Sequence, residues 1–252
     1  MPFDKTSSVY QYLMDVRKNK GAGFFVLMDP DRSTPRMMME QAKKCCDAGV
    51  DAILVGASIM MNGVFEEAVE SVKSAVDIPV IIFPGEKSQI TSKADAILFL
   101  SLLSGRNPEF IIGEQARSAP LIKSIHLEAI STAYLLVESG KTTSVEFMSN
   151  SKPLPPDKPE IALAHAMAAE IFGMKLVYLE AGSGAAHPVP DEMIRVVSAG
   201  VEIPVIVGGG IRTPETVSAK VSSGASFVVV GNHLELSANM GSLESLVKAA
   251  HR

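Results

Sequence analysis

Eight short, unbroken apolar runs recur along this chain, separated by longer segments with helical spacing. They cover residues 24–29, 52–56, 79–84, 94–101, 133–138, 176–180, 204–208 and 227–231. Unbroken runs, as opposed to alternating ones, mark strands covered on both faces, as in a parallel sheet wrapped by helices. Strand–helix alternation gives an α/β architecture, and eight such units predict a closed (β/α)₈ TIM barrel. The length of 252 residues suits that fold as one domain, residues 1–252, and 47% hydrophobic residues supply one large core.

Two near-repeats fit a modular βα build. Residues 77–81 (Asp-Ile-Pro-Val-Ile) echo 202–206 (Glu-Ile-Pro-Val-Ile), and the Gly49–Gly56 segment echoes Gly224–Gly231. In each of the longer pair a helix ends at glycine, a buried strand follows, and a second glycine lets the chain leave the strand tip. Two irregularities break the pattern. Only about ten residues, 85–94, separate the third run from the fourth; a crossover needs a dozen or more, so this unit is expected to lack a full helix. Residues 139–159 are polar and rich in Ser, Thr, Lys and Pro. They read as a surface excursion before a helix at 160–172, either a lid over a substrate or simply an exposed loop.

Composition excludes several functional classes. The net charge of −5 offers no basic excess for nucleic acid. The only cysteines, Cys45 and Cys46, are adjacent, which rules out a disulfide framework and a paired-cysteine zinc site. Residues 1–20 lack an apolar signal core, and no run approaches the roughly 20 apolar residues needed to cross a bilayer. A cytoplasmic protein is expected.

The chemistry concentrates at three consecutive strand ends. Tyr178-Leu179-Glu180-Ala181-Gly182-Ser183-Gly184 closes the sixth run, Gly208-Gly209-Gly210-Ile211-Arg212 the seventh, with Thr213-Pro214 opening a helix, and Gly231-Asn232 the eighth. Glycines at such tips let backbone N–H groups approach an anion, and barrels often hold phosphate beside their seventh and eighth strands. Glu180 stands two residues after Tyr178, so both side chains point the same way, and a carboxylate there can take a proton from a substrate hydroxyl. The alternative is a carboxylate ion-paired to a neighbouring strand. Asp29, projected from the first tip by Pro30, and Ser58, just past the second, could complete the oxygen shell of a Mg²⁺ that also holds phosphates. Asp-Pro and Ser are equally ordinary turn residues. Arg106 is a weaker candidate for anion contact, and equally a solvated side chain; His187 follows the glycine loop closely enough to reach the site, and the methionines at 37–39 and 60–61 read as adaptable packing.

Taken together, these motifs resemble the geranylgeranylglyceryl phosphate synthases, and more closely the second group of that family. The resemblance runs from about Phe25 to Asn232. It rests on Met28-Asp29-Pro30-Asp31, Gly56-Ala57-Ser58, residues 101–108 (Ser-Leu-Leu-Ser-Gly-Arg-Asn-Pro), Asp157-Lys158-Pro159-Glu160, Tyr178 to Gly184, Gly208-Gly209-Gly210 and Gly231-Asn232. The missing third helix fits the same family. One position departs from the first group: Leu27 stands where those members carry a phosphate-binding lysine, which the second group commonly lacks.

The resemblance implies a prenyltransferase that joins the 3-hydroxyl of sn-glycerol 1-phosphate to geranylgeranyl diphosphate as an ether and releases diphosphate, a step of ether-lipid biosynthesis. Tyr178, Leu179, Glu180, Ala181, Gly182, Ser183, Gly184, Gly209, Gly210, Gly231 and Asn232 would hold the glycerol phosphate. Asp29 and Ser58 would hold Mg²⁺, and Glu180 with Tyr178 would serve the proton transfer. An apolar groove for the prenyl chain is expected near residues 98–103 and the missing helix. The family implies a homo-oligomer, a dimer or a hexamer, with at most transient contact at a membrane surface. A longer heptaprenyl donor, a phosphosugar isomerase and a non-catalytic phosphate-binding barrel are the competing readings.

Overall fold

A computed structural model describes residues 8–61, 63–231 and 240–251. The strands are β1 (Gly23–Met28), β2 (Ala52–Val55), β3 (Val80–Ile82), β4 (Ala96–Ser101), β5 (Glu128–Leu136), β6 (Leu176–Glu180), β7 (Val205–Gly208) and β8 (Phe227–Gly231). They close into a barrel in sequence order, and the registered pairs are parallel. α1 (Val9–Lys20) precedes β1, and the helices that follow are α2 (Pro35–Asp47), α3 (Phe65–Lys73), α4 (Glu114–Ser124), α5 (Ser144–Ser149), α6 (Pro159–Ile171), α7 (Asp191–Gly200), α8 (Pro214–Ser222) and α9 (Met240–Ala250). β2, β3, β6 and β7 are buried at every residue, as their unbroken apolar runs require. Among the described residues no helix is long and apolar enough to cross a membrane.

Local sequence explains most boundaries. Thr34 caps α2 and Thr213 caps α8, each accepting from a backbone N–H three residues on, with proline at the first helical position. The third unit indeed lacks a helix; a single 3₁₀ turn, Lys87–Gln89, replaces it. Two expectations shift. β5 begins at Glu128, five residues before its apolar run, and the Glu128 carboxylate accepts from the N–H groups of Val9 (2.6 Å) and Tyr10 (3.0 Å) in the first turn of α1. The 139–159 excursion holds a helix of its own, α5. Of the methionines, Met38 is fully buried, whereas Met37 and Met61 are 50% and 81% exposed. Cys45 is buried on α2, and that burial pushes its thiol up to about 12, leaving it unreactive.

The chain packs as two compact units, one of Met1–Leu98, Ser118–Ile130 and Gly231–Arg252, the other of Phe99–Arg117 and Ser131–Val230. The first unit repeats one device. Asp-Ala-Ile-Leu occurs at 51–54 and again at 95–98, at the starts of β2 and β4. Asp51 accepts from the Phe24 N–H (2.8 Å), Lys20 (2.6 Å) and His251 (2.8 Å). Asp95 accepts from the Val80 N–H (2.8 Å) and Lys73 (2.6 Å). Each carboxylate thus supplies an acceptor to an N–H at the start of the preceding strand, and a lysine near the end of a helix balances its charge. Burial would raise the Asp51 carboxyl, but hydrogen bonds from His251, Lys20 and Phe24 outweigh it and hold the group below its ordinary value. In the second unit Ser226 gives Val205 the same acceptor at the start of β7.

Candidate active site

The second unit carries Tyr178 to Gly184, Gly209 and Gly210 of the residues expected to hold the glycerol phosphate, and Gly231 belongs to the first. Register sets Tyr134 beside Tyr178, and Leu136, Glu180 and Gly208 in one row across β5, β6 and β7. Side chains alternate along β6, so Tyr178 and Glu180 share a face and the buried Leu179 points to the other. The Tyr134 and Tyr178 rings lie 5.6 Å apart at a tilt of 56°. Glu180 is only 5% exposed. Burial raises its carboxyl to about 7, against the opposing effect of hydrogen bonds from the Gly182 N–H (2.6 Å) and the Tyr178 hydroxyl. Tyr178 is pushed well above its ordinary value, chiefly by burial and then by the Glu180 charge. The site therefore holds a carboxylate half-protonated near neutrality, beside a phenol that stays protonated. That is the pairing expected of a general base with a fixed hydrogen-bond donor.

The glycines are needed because backbone passes over this carboxylate. A methyl group on Gly208 would overlap the Tyr178 hydroxyl and lie 2.8 Å from Oε2 of Glu180. One on Gly209 would lie 2.6 Å from Oε1 and 2.8 Å from the Gly182 nitrogen, and its φ of +82° already favours glycine. The Ala181 N–H donates to the Gly208 carbonyl (3.0 Å), and Arg212 donates to the Ala185 carbonyl (2.8 Å), tying the β6 and β7 loops together. Ser183 and Gly184 are exposed on the β6 loop, Gly210 follows Gly209 at φ +71°, and none of the described residues lies within 4 Å of a methyl on Gly231. Asn232 lies outside the described residues.

The start of the polar excursion packs onto this glycine loop. The His187 N–H donates to the Ser139 carbonyl (3.1 Å), and the His187 ring sits against Gly140. Thr143 fills the space where Gly182 would carry a side chain, and Nζ of Lys141 would be 3.6 Å from a methyl on Gly184. The hydroxyls of Ser139 and Thr143 are buried there without a hydrogen-bond partner among the described residues. Lys141 and Thr143 were not legible as site residues: in sequence they are one lysine and one threonine within a polar run. His187 is thus occupied with residue 140, and Arg106 donates to the Ser104 and Gly105 carbonyls of its own turn (3.3 and 2.8 Å).

In the first unit the Gly56 N–H donates to the Met28 carbonyl (3.1 Å), which sets the β2 tip beside Asp29. Asp29 accepts from the Asp31 N–H and from Arg32, both at 3.0 Å, and its side chain stays 26% exposed. Ser58 is exposed. Among the described residues no group of three or more His, Cys, Asp or Glu side chains could hold a metal. One carboxylate and one hydroxyl are hard oxygen donors, and Mg²⁺ typically takes one or two carboxylates and completes its shell with water and substrate phosphate. The donor set fits a cation of that kind held jointly with a phosphorylated substrate.

Comparison with known proteins gives the chain its family. The chain is 43% identical over 246 residues to the geranylgeranylglyceryl phosphate synthase of Chitinophaga pinensis, covering 97% of this chain and 96% of that one. It is 48% identical over 212 residues to the enzyme of that name from Thermococcus kodakarensis, covering 84% and 83%. The crystal structure of (S)-3-O-geranylgeranylglyceryl phosphate synthase from Thermoplasma acidophilum in complex with its substrate sn-glycerol-1-phosphate superposes with a TM-score of 0.91 at 36% identity, over 97% and 99% of the two chains. A family model described as the PcrB family matches residues 14–250. On the length and depth of these matches, the chain belongs to the PcrB family.

Proposed function

We propose that this protein transfers a geranylgeranyl group from its diphosphate to the 3-hydroxyl of sn-glycerol 1-phosphate, forming an ether and releasing diphosphate. The observation that carries this reading is Glu180, a buried carboxylate raised to about 7 at a β6 tip over which glycine backbone passes closely. Likeness to the Thermoplasma acidophilum enzyme, which binds sn-glycerol-1-phosphate, supports the acceptor, and the names of the relatives support the donor.

The chain's own groups divide the work. N–H groups of the β6 and β7 loops, without side chains at Gly184, Gly209 and Gly210, bind the phosphate and fix the glycerol, while the Gly182 N–H holds Glu180. Glu180 accepts the proton of the 3-hydroxyl as that oxygen bonds to C1 of the prenyl chain, and the C1–diphosphate bond breaks with its electrons leaving on the diphosphate. Tyr178 holds the carboxylate oriented toward that hydroxyl. Asp29 and Ser58 would hold Mg²⁺, which supplies neutralisation of the diphosphate charge when bound. The half-buried Phe99 and Leu100 of β4 are offered as part of the wall for the apolar chain.

The test uses labelled sn-glycerol 1-phosphate with Mg²⁺ and prenyl diphosphates of C15, C20 and C35 length. Label should enter an organic-extractable product fastest with the C20 donor, and Asp29→Asn should raise the Mg²⁺ concentration required. Preference for C35 would replace the donor. No product with any donor, while sn-glycerol 1-phosphate still binds, would refute the transferase in favour of another phosphate-binding barrel.

A further inference from the structure

Where the third unit lacks its helix, the chain instead folds a side chain back onto the strand tips. Gln89, the last residue of the 3₁₀ turn, is fully buried. Its Oε1 accepts from the Ala57 N–H (3.1 Å) and from the Gly85 N–H (3.3 Å), and its Nε2 donates to the Ala57 carbonyl (2.7 Å). One side-chain amide thus satisfies both backbone groups of Ala57, as a neighbouring strand would, although β2 has already ended at Val55.

The surroundings leave this tip little freedom. A methyl on Gly56 would overlap the Phe83 carbonyl, and one on Gly85 would overlap the Ala57 carbonyl, so the β2 and β3 tips touch through bare backbone. The turn is anchored beyond Gln89 as well: the Thr91 hydroxyl bonds Glu66 of α3 at 2.6 Å. On the other flank the Gly56–Met28 hydrogen bond joins the tip to the end of β1, one residue before Asp29. Ala57 is therefore fixed on both sides, and the residue it delivers is Ser58.

We propose that Gln89 is a positioning residue for the cation–diphosphate site, holding the Gly56-Ala57-Ser58 tip in register with Asp29. This rests on the reading of Asp29 and Ser58 as the residues that hold the cation. It gives the shortened third unit a task, because a full helix between β3 and β4 would carry the chain away from the tips that Gln89 now ties together. Groups that orient metal ligands from behind typically change metal affinity by roughly 10- to 100-fold when removed.

The test compares Gln89→Met, which keeps length and loses all three hydrogen bonds, with Gln89→Glu, which keeps the acceptor and loses the donor to Ala57. Mn²⁺ serves as the probe, its binding followed by electron paramagnetic resonance with geranylgeranyl diphosphate present, and sn-glycerol 1-phosphate binding is titrated separately. Gln89→Met should weaken Mn²⁺–diphosphate binding roughly tenfold or more and leave sn-glycerol 1-phosphate affinity unchanged, since the Gln89 hydrogen bonds go to Ala57 and Gly85. Gln89→Glu should fall between it and the parent, and it keeps the test open if the Met variant does not fold. Unchanged Mn²⁺ binding in a folded variant overturns the proposal alone. Equal loss of both ligands also overturns it, by assigning Gln89 a general structural role. Failure of the unmodified protein to bind Mn²⁺ with the diphosphate overturns the cation site itself, and the proposal with it.

Discussion

Replacing Glu180 by Gln should make the protein more stable at high pH while removing its activity. The gap between an ordinary carboxyl value of 4.5 and about 7 in the fold corresponds to about 3 kcal/mol. The sign follows from proton binding. Between pH 4.5 and 7 the folded state holds a proton that the unfolded state has released, so this contribution is present below pH 4.5 and is lost as pH rises through 7. Glutamine keeps an acceptor for the Gly182 N–H and cannot ionise, so it escapes the loss. Its amide must face a second donor, the Tyr178 hydroxyl, which makes about 3 kcal/mol an upper bound. Denaturant melts of both proteins from pH 5 to pH 8.5 measure the effect, and their difference isolates this one group. The gap should widen toward high pH in favour of the variant. In the parent, turnover should fall about fivefold between pH 7 and pH 6 as the ionised base is depleted, and above pH 7 the variant should lose roughly 10²- to 10⁴-fold. A pH-independent difference in stability would refute the buried, desolvated carboxylate; retained turnover in the variant would refute its role as base.

Three further outcomes follow from the same geometry. Gly209→Ala, at φ +82° and 2.6 Å from Glu180 Oε1, should cost about 1–3 kcal/mol in denaturant melts and weaken sn-glycerol 1-phosphate binding, and unaltered affinity would argue against backbone recognition there. Lys141→Gln should weaken that binding about fivefold in titration calorimetry, with Lys141→Arg retaining most of it. Asp51→Ala should destabilise the fold by about 3–5 kcal/mol by stripping a buried acceptor from Phe24, Lys20 and His251. Because the Asp51 carboxyl sits below its ordinary value in the fold, its contribution is present above the unfolded value and lost as pH falls through the folded one, so acid melts of parent and variant should converge.

Much of the barrel was legible before any coordinates. A strand buried on both faces has to be written in apolar residues, so β6 and β8 match their runs residue for residue, and the missing third helix follows from chain length alone. The glycine tips and the shared face of Tyr178 and Glu180 were legible for the same reason: φ above zero and a period of two are local constraints, and local constraints are recorded in local sequence. The start of β5 was not, and the partner of Glu128 there is the first turn of α1, more than a hundred residues away.

What only the tertiary structure decided are the quantities that depend on distant neighbours. Glu180 reaches about 7 because the surrounding barrel removes it from water, and no spacing within β6 encodes that removal. Asp51 and His251 meet across two hundred positions, Gln89 ties down Ala57 thirty-two residues back, and Lys141 is set apart from the lysines around it only by the glycine loop it lies against. Sequence fixes which way a side chain points along its own strand or helix. Its partners, and therefore its charge and its chemistry, are settled when the chain closes on itself.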